Sequence, residues 1–414
     1  MTRPPPYRVA IIASHPIQHF VPFYRAVANE PGVDLHVFYM SDFSVRGYFD
    51  PLMKTRISWE MDLLSGYQQT FLPEAKNIHN SKPSKLNNPS VGKELASFQP
   101  DAVIAYGYNN PTQWRALYWC WRNSVPLLMI SDSELIHWRS SLRKAAKARL
   151  LPLLYRLYSA FLSTGDNNEA YLSAYGVPAE KMFRCPFTID EGVYIGARKN
   201  RDALRRAFRA RHAIDPNDFV MLTVGKLTPG KRPMDALQAT KLLTEGAKSD
   251  ARRIILVIAG DGALRDAAQE YIDSNNLPVR MLGFVNVDQL PAVYCGSDVL
   301  LHLSEVDAHP LALSEAACIG LPLIVSNKVG AIGTADIARP GENALVIPCG
   351  DVHAIATAAR RLHEDVRLLS VMSESSIQIY SGLDMRKSVE GVVQALDYCI
   401  GGAVVSAPQQ ASLP

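Results

Sequence analysis

The sequence predicts an α/β protein with two Rossmann-like domains. Three observations carry this. The chain has 414 residues, more than one hydrophobic core usually organises. Short apolar runs alternate with helical stretches through both halves, as in strand–crossover–strand units of a parallel sheet. Residues 301–330 read in a single stretch as strand, loop, helix and strand.

Composition narrows the class. Hydrophobic residues make up 48% and charged residues 20%, as in ordinary globular enzymes. A net charge of +3 is too small to argue for a nucleic-acid partner. Cys120, Cys185, Cys295, Cys318, Cys349 and Cys399 are scattered without CxxC pairs. That argues against zinc and for a reducing compartment. The first residues contain no long apolar run, so no signal peptide is expected. No stretch approaches the roughly 20 apolar residues of a membrane span.

In order, residues 7–13 form a first strand, 14–20 a loop, 21–29 a helix and 35–40 a second strand. This βαβ start lacks the Gly-x-Gly-x-x-Gly of dinucleotide enzymes and presents His15, Gln18 and His19 instead. Such a loop lies at the carboxyl edge of a parallel sheet, where ligands bind. These residues either touch substrate or simply cap the helix. Residues 41–95 are polar and irregular, with short strands around Phe71, and read either as an acceptor surface or as a structural excursion. Strands follow at 102–106 and 126–130, with a helix at 112–122 between them and Ser131-Asp132-Ser133 after.

Residues 138–161 hold Arg139, Arg143, Lys144, Lys147, Arg149 and Arg156, with no acid between Leu135 and Gly165. Leucines fall near helical spacing among them. A basic amphipathic helix can lie on an anionic membrane. It can equally be a core helix with a solvated basic face, and Pro152 is expected to break any single long helix. A strand at 161–164, a helix at 165–175 and a short strand at 183–187 close the first half. A basic helical connector spans 199–211, placing the domain boundary between Asp190 and Asp218.

The second half opens with a strand at 219–224. The loop Gly225-Lys226-Leu227-Thr228-Pro229-Gly230-Lys231 follows, then a helix at 234–243. Two lysines five apart around a Gly/Pro turn can both point at one anion, although surface lysines are common. A strand at 254–259 precedes Gly260-Asp261-Gly262, which has no third glycine and so speaks against NAD. Residues 298–303 lead into the 301–330 stretch. A helix from Leu311, stopped by Gly320 and Pro322, then presents free N–H groups and a positive dipole end, best suited to phosphate. Pro310 wastes no donor there. Asp307 and Glu315 have seven residues between them and can flank a bound polyol. The same residues also fit a buried helix with an N-terminal acid on its dipole.

The Asp307–Glu315 stretch resembles the carboxylate, seven residues, Glu signature of retaining glycosyltransferases of family four, which have the GT-B fold. There it usually reads Glu-Gly-Phe-Gly-Leu-Pro, two apolar residues, Glu-Ala. Here Asp307 replaces the first Glu and Ala308-His309-Pro310-Leu311 replaces Gly-Phe-Gly-Leu, while Glu315-Ala316 and Gly320-Leu321-Pro322 match. Gly225-Lys226-Leu227 and Lys231 are similar to the family's Gly-Arg-Leu, short loop, Lys, whose cations hold the donor diphosphate; Lys226 stands in the Arg position. Residues 280–285 and 341–346 match the family's next turns, with Gly283 letting the backbone approach the nucleotide base beside Phe284. His15-Pro16-Ile17-Gln18 opens as in some members. Many members carry His-Asp where this chain has Ser131-Asp132, so that His has no counterpart and Asp132 remains as an acceptor-side candidate.

The resemblance implies two domains facing a cleft: an acceptor domain over 1–190, a linker over 191–217 and a nucleotide-sugar domain over 218–385. A helix over 386–400 would return to the first domain, and 401–414 would be a disordered tail. The implied activity is retaining transfer of a sugar from a nucleoside-diphosphate sugar to a glycan or lipid-linked acceptor in bacterial surface polysaccharide or glycolipid biosynthesis. Lys226, Lys231, Asp307 and Glu315 would carry the chemistry, and Gly225, Gly283, Phe284, His309, Pro310 and Leu311 would hold the donor. No metal and no cofactor are expected. The enzyme would be cytoplasmic, with peripheral contact at the inner membrane face through Arg139 to Arg156. A nucleotide-sugar epimerase of the same fold and an inactive glycan-binding homologue are the alternatives.

Overall fold

The computed structural model describes residues 5–45, 48–50, 55–57, 62–80, 82–137, 141–245 and 252–401. The expected tail, apart from Gly401, and Arg139 lie outside them. The chain begins with β1 (Tyr7–Ala13), α1 (Val21–Ala28) and β2 (Val33–Tyr39). A separate antiparallel hairpin, β3 (Tyr48–Asp50) and β4 (Thr55–Ile57), follows. Next come β5 (Gln68–Phe71), α2 (Val91–Phe98), β6 (Ala102–Tyr106), α3 (Pro111–Asn123) and β7 (Leu127–Ser131). The half ends with α4 (Ser141–Tyr155), β8 (Ala160–Ser163), α5 (Asp166–Ala174) and β9 (Met182–Arg184).

Seven strands form the first sheet in the order β5-β2-β1-β6-β7-β8-β9, all pairs parallel. Within 41–95 a strand forms around Phe71, as the sequence predicts. This segment contributes that edge strand, β5, and opens a sheet-covering helix, α2. Pro152 does not break α4, which runs through it. It sits near the C-terminal end and frees only the carbonyl of exposed Ala148, which water can satisfy.

The second half contains α6 (Glu191–Lys199), α7 (Arg201–Arg211), β10 (Phe219–Val224), α8 (Pro233–Thr244) and β11 (Ile254–Ala259). It continues with α9 (Arg265–Ser274), β12 (Val279–Gly283), α10 (Leu290–Gly296), β13 (Val299–His302) and α11 (Leu311–Ile319). Then come β14 (Leu323–Ser326), β15 (Ala344–Ile347), α12 (Val352–Glu364), α13 (Val366–Ser381) and α14 (Met385–Leu396). Six parallel strands run in the order β12-β11-β10-β13-β14-β15. Every residue of β11 is buried, as expected for a strand covered on both faces.

The segment between the sheets does more than connect them. Tyr194 of α6 and Phe208 of α7 are part of the core of the second sheet. Arg209, also on α7, is buried and bonds Asp298 at 2.9 Å. At the other end, α14 packs Val392, Ala395 and Leu396 on the face of the first sheet that α1 also covers. A side chain at Gly391 would put Cβ 2.1 Å from the Arg184 carbonyl oxygen, so only glycine lets the helix approach this closely.

Among the described residues, bonds join the domains at α5 and at His137 as well as between Thr188 and Met385. The first turn of α5 docks on the loop after β14: Asn167 Nδ2 donates to the carbonyls of Gly330 and Ile332, each at 2.8 Å. The Asp166 amide donates to Asp336 at 3.0 Å. The second contact is His137, whose Nε2 lies 2.8 Å from the Glu305 carbonyl oxygen.

Candidate active site

Strand order reverses between β1 and β6 in the first sheet and between β10 and β13 in the second. Open parallel sheets bind ligands beyond the carboxyl ends of strands at such switch points. The loops after β1, β10 and β13 carry His15, Gln18, His19, Lys226, Lys231 and Asp307, so topology brings the predicted candidates together.

On the second domain, Lys226 and Lys231 line one narrow cavity with Gly225, His302 and Ser304. Gly225 has φ +138°, and a Cβ on Gly260 would sit 1.8 Å from its carbonyl oxygen. The first two loops of this domain therefore meet backbone to backbone. Lys231 forms an ion pair with Asp307 that straddles the switch point. Asp307 also lies 2.9 Å from His302 Nε2. Burial raises the Asp307 carboxyl, but His302 and the Lys231 ammonium outweigh it and hold the group below the usual carboxylate range. An ammonium has three donors, so Lys231 keeps capacity for an anion while Asp307 aims it.

The N-terminus of α11 follows the buried Pro310, whose φ of −71° and ψ of 125° place it just outside the helix. Leu311 and Glu315 then line a cavity of about 410 Å³ that both domains enclose. The second domain adds Asn286, Val287, Asp288 and Leu290; the first adds Gln18 and His19; Asp190 and Tyr194 come from the junction. Glu315 accepts from Tyr294 at 2.6 Å. Burial pushes its carboxyl above the usual range, and the Tyr294 bond opposes this without cancelling it. The Tyr194 hydroxyl lies against the same carboxyl.

Burial holds His15 and His19 down at about 4, with the charge of His19 adding to the effect at His15. Both rings are neutral near pH 7. His15 turns to Ser14 and to the ring of Phe43, while Gln18 and His19 face the cavity. The Gln18 Oε1 atom is buried with no partner among the described residues.

Other predicted residues sit elsewhere. Asp132 is exposed and outside the cleft cavity. The same loop instead presents His137, paired with buried Glu134, against the loop that carries Asp307. Phe284 is 41% exposed and lines a neighbouring groove, which shares Asp288 with the cleft. Gly283 has φ +70° and lies against Arg265. His309 is buried between the Phe187 ring and Asp336, with Nε2 3.4 Å from Oδ1. It does not line the cleft cavity.

Tyr194, Tyr294, Asp190, Asn286 and His137 carried no sequence signal. They lie outside the recognisable motifs and reach the site only through packing of distant segments. His302 had a faint one, five residues before Asp307 at a strand end. Among the described residues, no group of three or more His, Cys, Asp or Glu is arranged to hold a metal.

Comparison with known proteins agrees with this fold. A family model described as glycosyl transferases group 1 matches residues 205–378. The UDP-Gal:alpha-D-GlcNAc-diphosphoundecaprenol alpha-1,3-galactosyltransferase of Escherichia coli is 30% identical over 178 residues, 42% of this chain and 44% of that one. The chain thus matches a little under half the length of this relative. The structure of Anabaena HepE in complex with UDP superposes with a TM-score of 0.69 at 16% identity, covering 94% of this chain and 99% of that one. The UDP-GlcNAc 2-epimerase of Neisseria meningitidis superposes at 0.60 and 13% identity, covering 94% and 99%. The fold is GT-B, and the second domain matches the group 1 glycosyl transferase model.

Proposed function

We propose that the chain is a retaining glycosyltransferase that moves a sugar from a nucleoside-diphosphate sugar to a glycan or lipid-linked acceptor. One observation carries the reading. The cavity at the α11 N-terminus is lined by Glu315 of one domain and by Gln18 and His19 of the other. A donor held on the second domain then presents its sugar to an acceptor on the first. When the bond from the anomeric carbon to phosphate breaks, charge grows on the departing diphosphate. Lys226, Lys231 and the free N–H groups of α11 stabilise it, which is the role a divalent cation takes elsewhere. The reaction is metal-independent on this reading. The diphosphoundecaprenol acceptor in the name of the Escherichia coli relative supports a lipid-linked acceptor, in polysaccharide or glycolipid biosynthesis. The enzyme works on the cytoplasmic side, with the basic segment ending at Arg156 against an anionic membrane.

The second reading, a nucleotide-sugar epimerase, draws on the fold shared with the Neisseria enzyme. Incubation with a panel of labelled nucleotide sugars, products resolved by NMR, separates the two. A transferase slowly hydrolyses one donor and releases its sugar without inversion at the anomeric carbon. Release of an epimerised sugar would select the epimerase, and no turnover of any donor would point to an inactive scaffold.

A further inference from the structure

Trp114, Tyr118 and Trp121 follow one another at spacings of four and three along α3, so they share one side of that helix. They are 48%, 61% and 66% exposed. Single surface apolar residues are ordinary, but a contiguous stripe of large aromatics marks an interaction surface. Helix α4 covers the same face of the first sheet. It and the turn after it leave Leu150, Leu153 and Leu157 exposed at 64%, 58% and 45%. Arg115 and Arg122 flank the aromatics, Lys144 and Arg149 accompany the leucines, and neither helix contains an Asp or Glu.

The geometry points to the α3–α4 face of the first domain as a membrane-interface surface, with Trp114, Tyr118 and Trp121 seated at the headgroup level of an anionic bilayer. Amphipathic aromatic rings prefer that level. Cations unopposed by acids complement anionic headgroups. Asn109, Asn110 and Arg115 line a groove with Trp114 and Tyr118, so a glycan is the competing occupant; the exposed leucines and the cations without acids on either helix favour the bilayer. The face borders the acceptor side, because α3 starts from the loop after β6, beside the switch point with β1. This rests on the lipid-linked acceptor reading and adds a part to it. Attachment by the basic helix alone would be removed by salt, whereas aromatic burial survives salt.

The test uses the full chain and vesicles of phosphatidylglycerol with phosphatidylcholine, at low and at molar salt. Wild type is expected to keep a salt-resistant fraction bound, and brominated phosphatidylcholine should quench its tryptophan emission. Trp114→Ser/Tyr118→Ser/Trp121→Ser should lower partitioning at molar salt by roughly tenfold or more. Neutralising Lys144 and Arg149 should weaken only low-salt binding. Equal partitioning of wild type and the triple variant, or wild-type emission untouched by brominated lipid but shifted by soluble oligosaccharide, overturns the assignment. Other tryptophans, Trp119 and Trp138 among them, also emit, so the quenching is assigned by its loss in Trp114→Phe/Trp121→Phe, a conservative variant whose folding circular dichroism checks. Quenching equal to wild type in that variant also overturns the assignment. Donor hydrolysis without vesicles tests the transferase reading separately.

Discussion

Lys231 is the most exposed test of the site at the scale of single residues. It pairs with Asp307 yet faces the cavity it shares with Lys226. Removing one preorganised charge stabiliser costs about 10²–10³ in turnover. Lys231→Ala is expected to fall by that factor with an unchanged circular dichroism spectrum; turnover within a few-fold of wild type would remove it from the chemistry. Glu315 should behave differently. Hydrogen bonds that hold the donor before and during reaction change KM more than kcat. Glu315→Gln is expected to raise the donor KM by roughly tenfold, whereas Asp307→Asn, which leaves Lys231 without its anchor, should act mainly on kcat. Burial also raises the Glu315 pKa, so the folded chain binds this proton more tightly than the unfolded one. Stability from that group is full below the ordinary glutamate range and is lost as pH rises through the raised value. Glu315→Gln should therefore melt no lower than wild type at neutral pH. The opposite kinetic split, or a clearly lower melting temperature, would refute these roles.

The histidines after β1 give the reverse sign. His15 and His19 fall from 6.5 to about 4 on folding. The unfolded chain then holds more protons between these values, so stability present above 6.5 is lost as pH falls toward 4. The melting temperature of wild type should fall more steeply across that window than that of His15→Gln/His19→Gln. Parallel slopes would show that the rings are not buried neutral.

Among elements, the α5 dock is the clearest determinant of cleft closure. Asn167 supplies two bonds to the loop after β14, and each is worth about 1 kcal/mol net. Asn167→Ala should favour separated domains and enlarge the radius of gyration in small-angle scattering; an unchanged radius would show that closure does not depend on this dock. Most elements were legible in sequence because each covered strand is a short apolar run, β11 above all. Pro152 misled, since a proline near a helix end removes little. The edge strand β5 had only weak alternation, and its place in the sheet depended on pairing with β2.

For the whole molecule, length and periodicity indicated two α/β domains, and motif resemblance alone implied that they face each other across a cleft. Lys226, Lys231, Asp307 and Glu315 were legible because contiguous motifs at strand ends carry them. Their partners were not: Tyr294 and Tyr194 reach Glu315, and His137 reaches the Glu305 carbonyl, through folding of segments far apart in sequence. Both domains line one cavity, and on the proposed reading lysines with a helix end face the departing diphosphate. Release of nucleoside diphosphate from a panel of nucleotide sugars, followed in excess EDTA for wild type and Lys231→Ala, tests this charge stabilisation. Wild type is expected to turn over at least one donor undiminished by the chelator, and Lys231→Ala to release diphosphate from it about 10²–10³ times more slowly. Activity that vanishes in EDTA and returns with magnesium or manganese would contradict it.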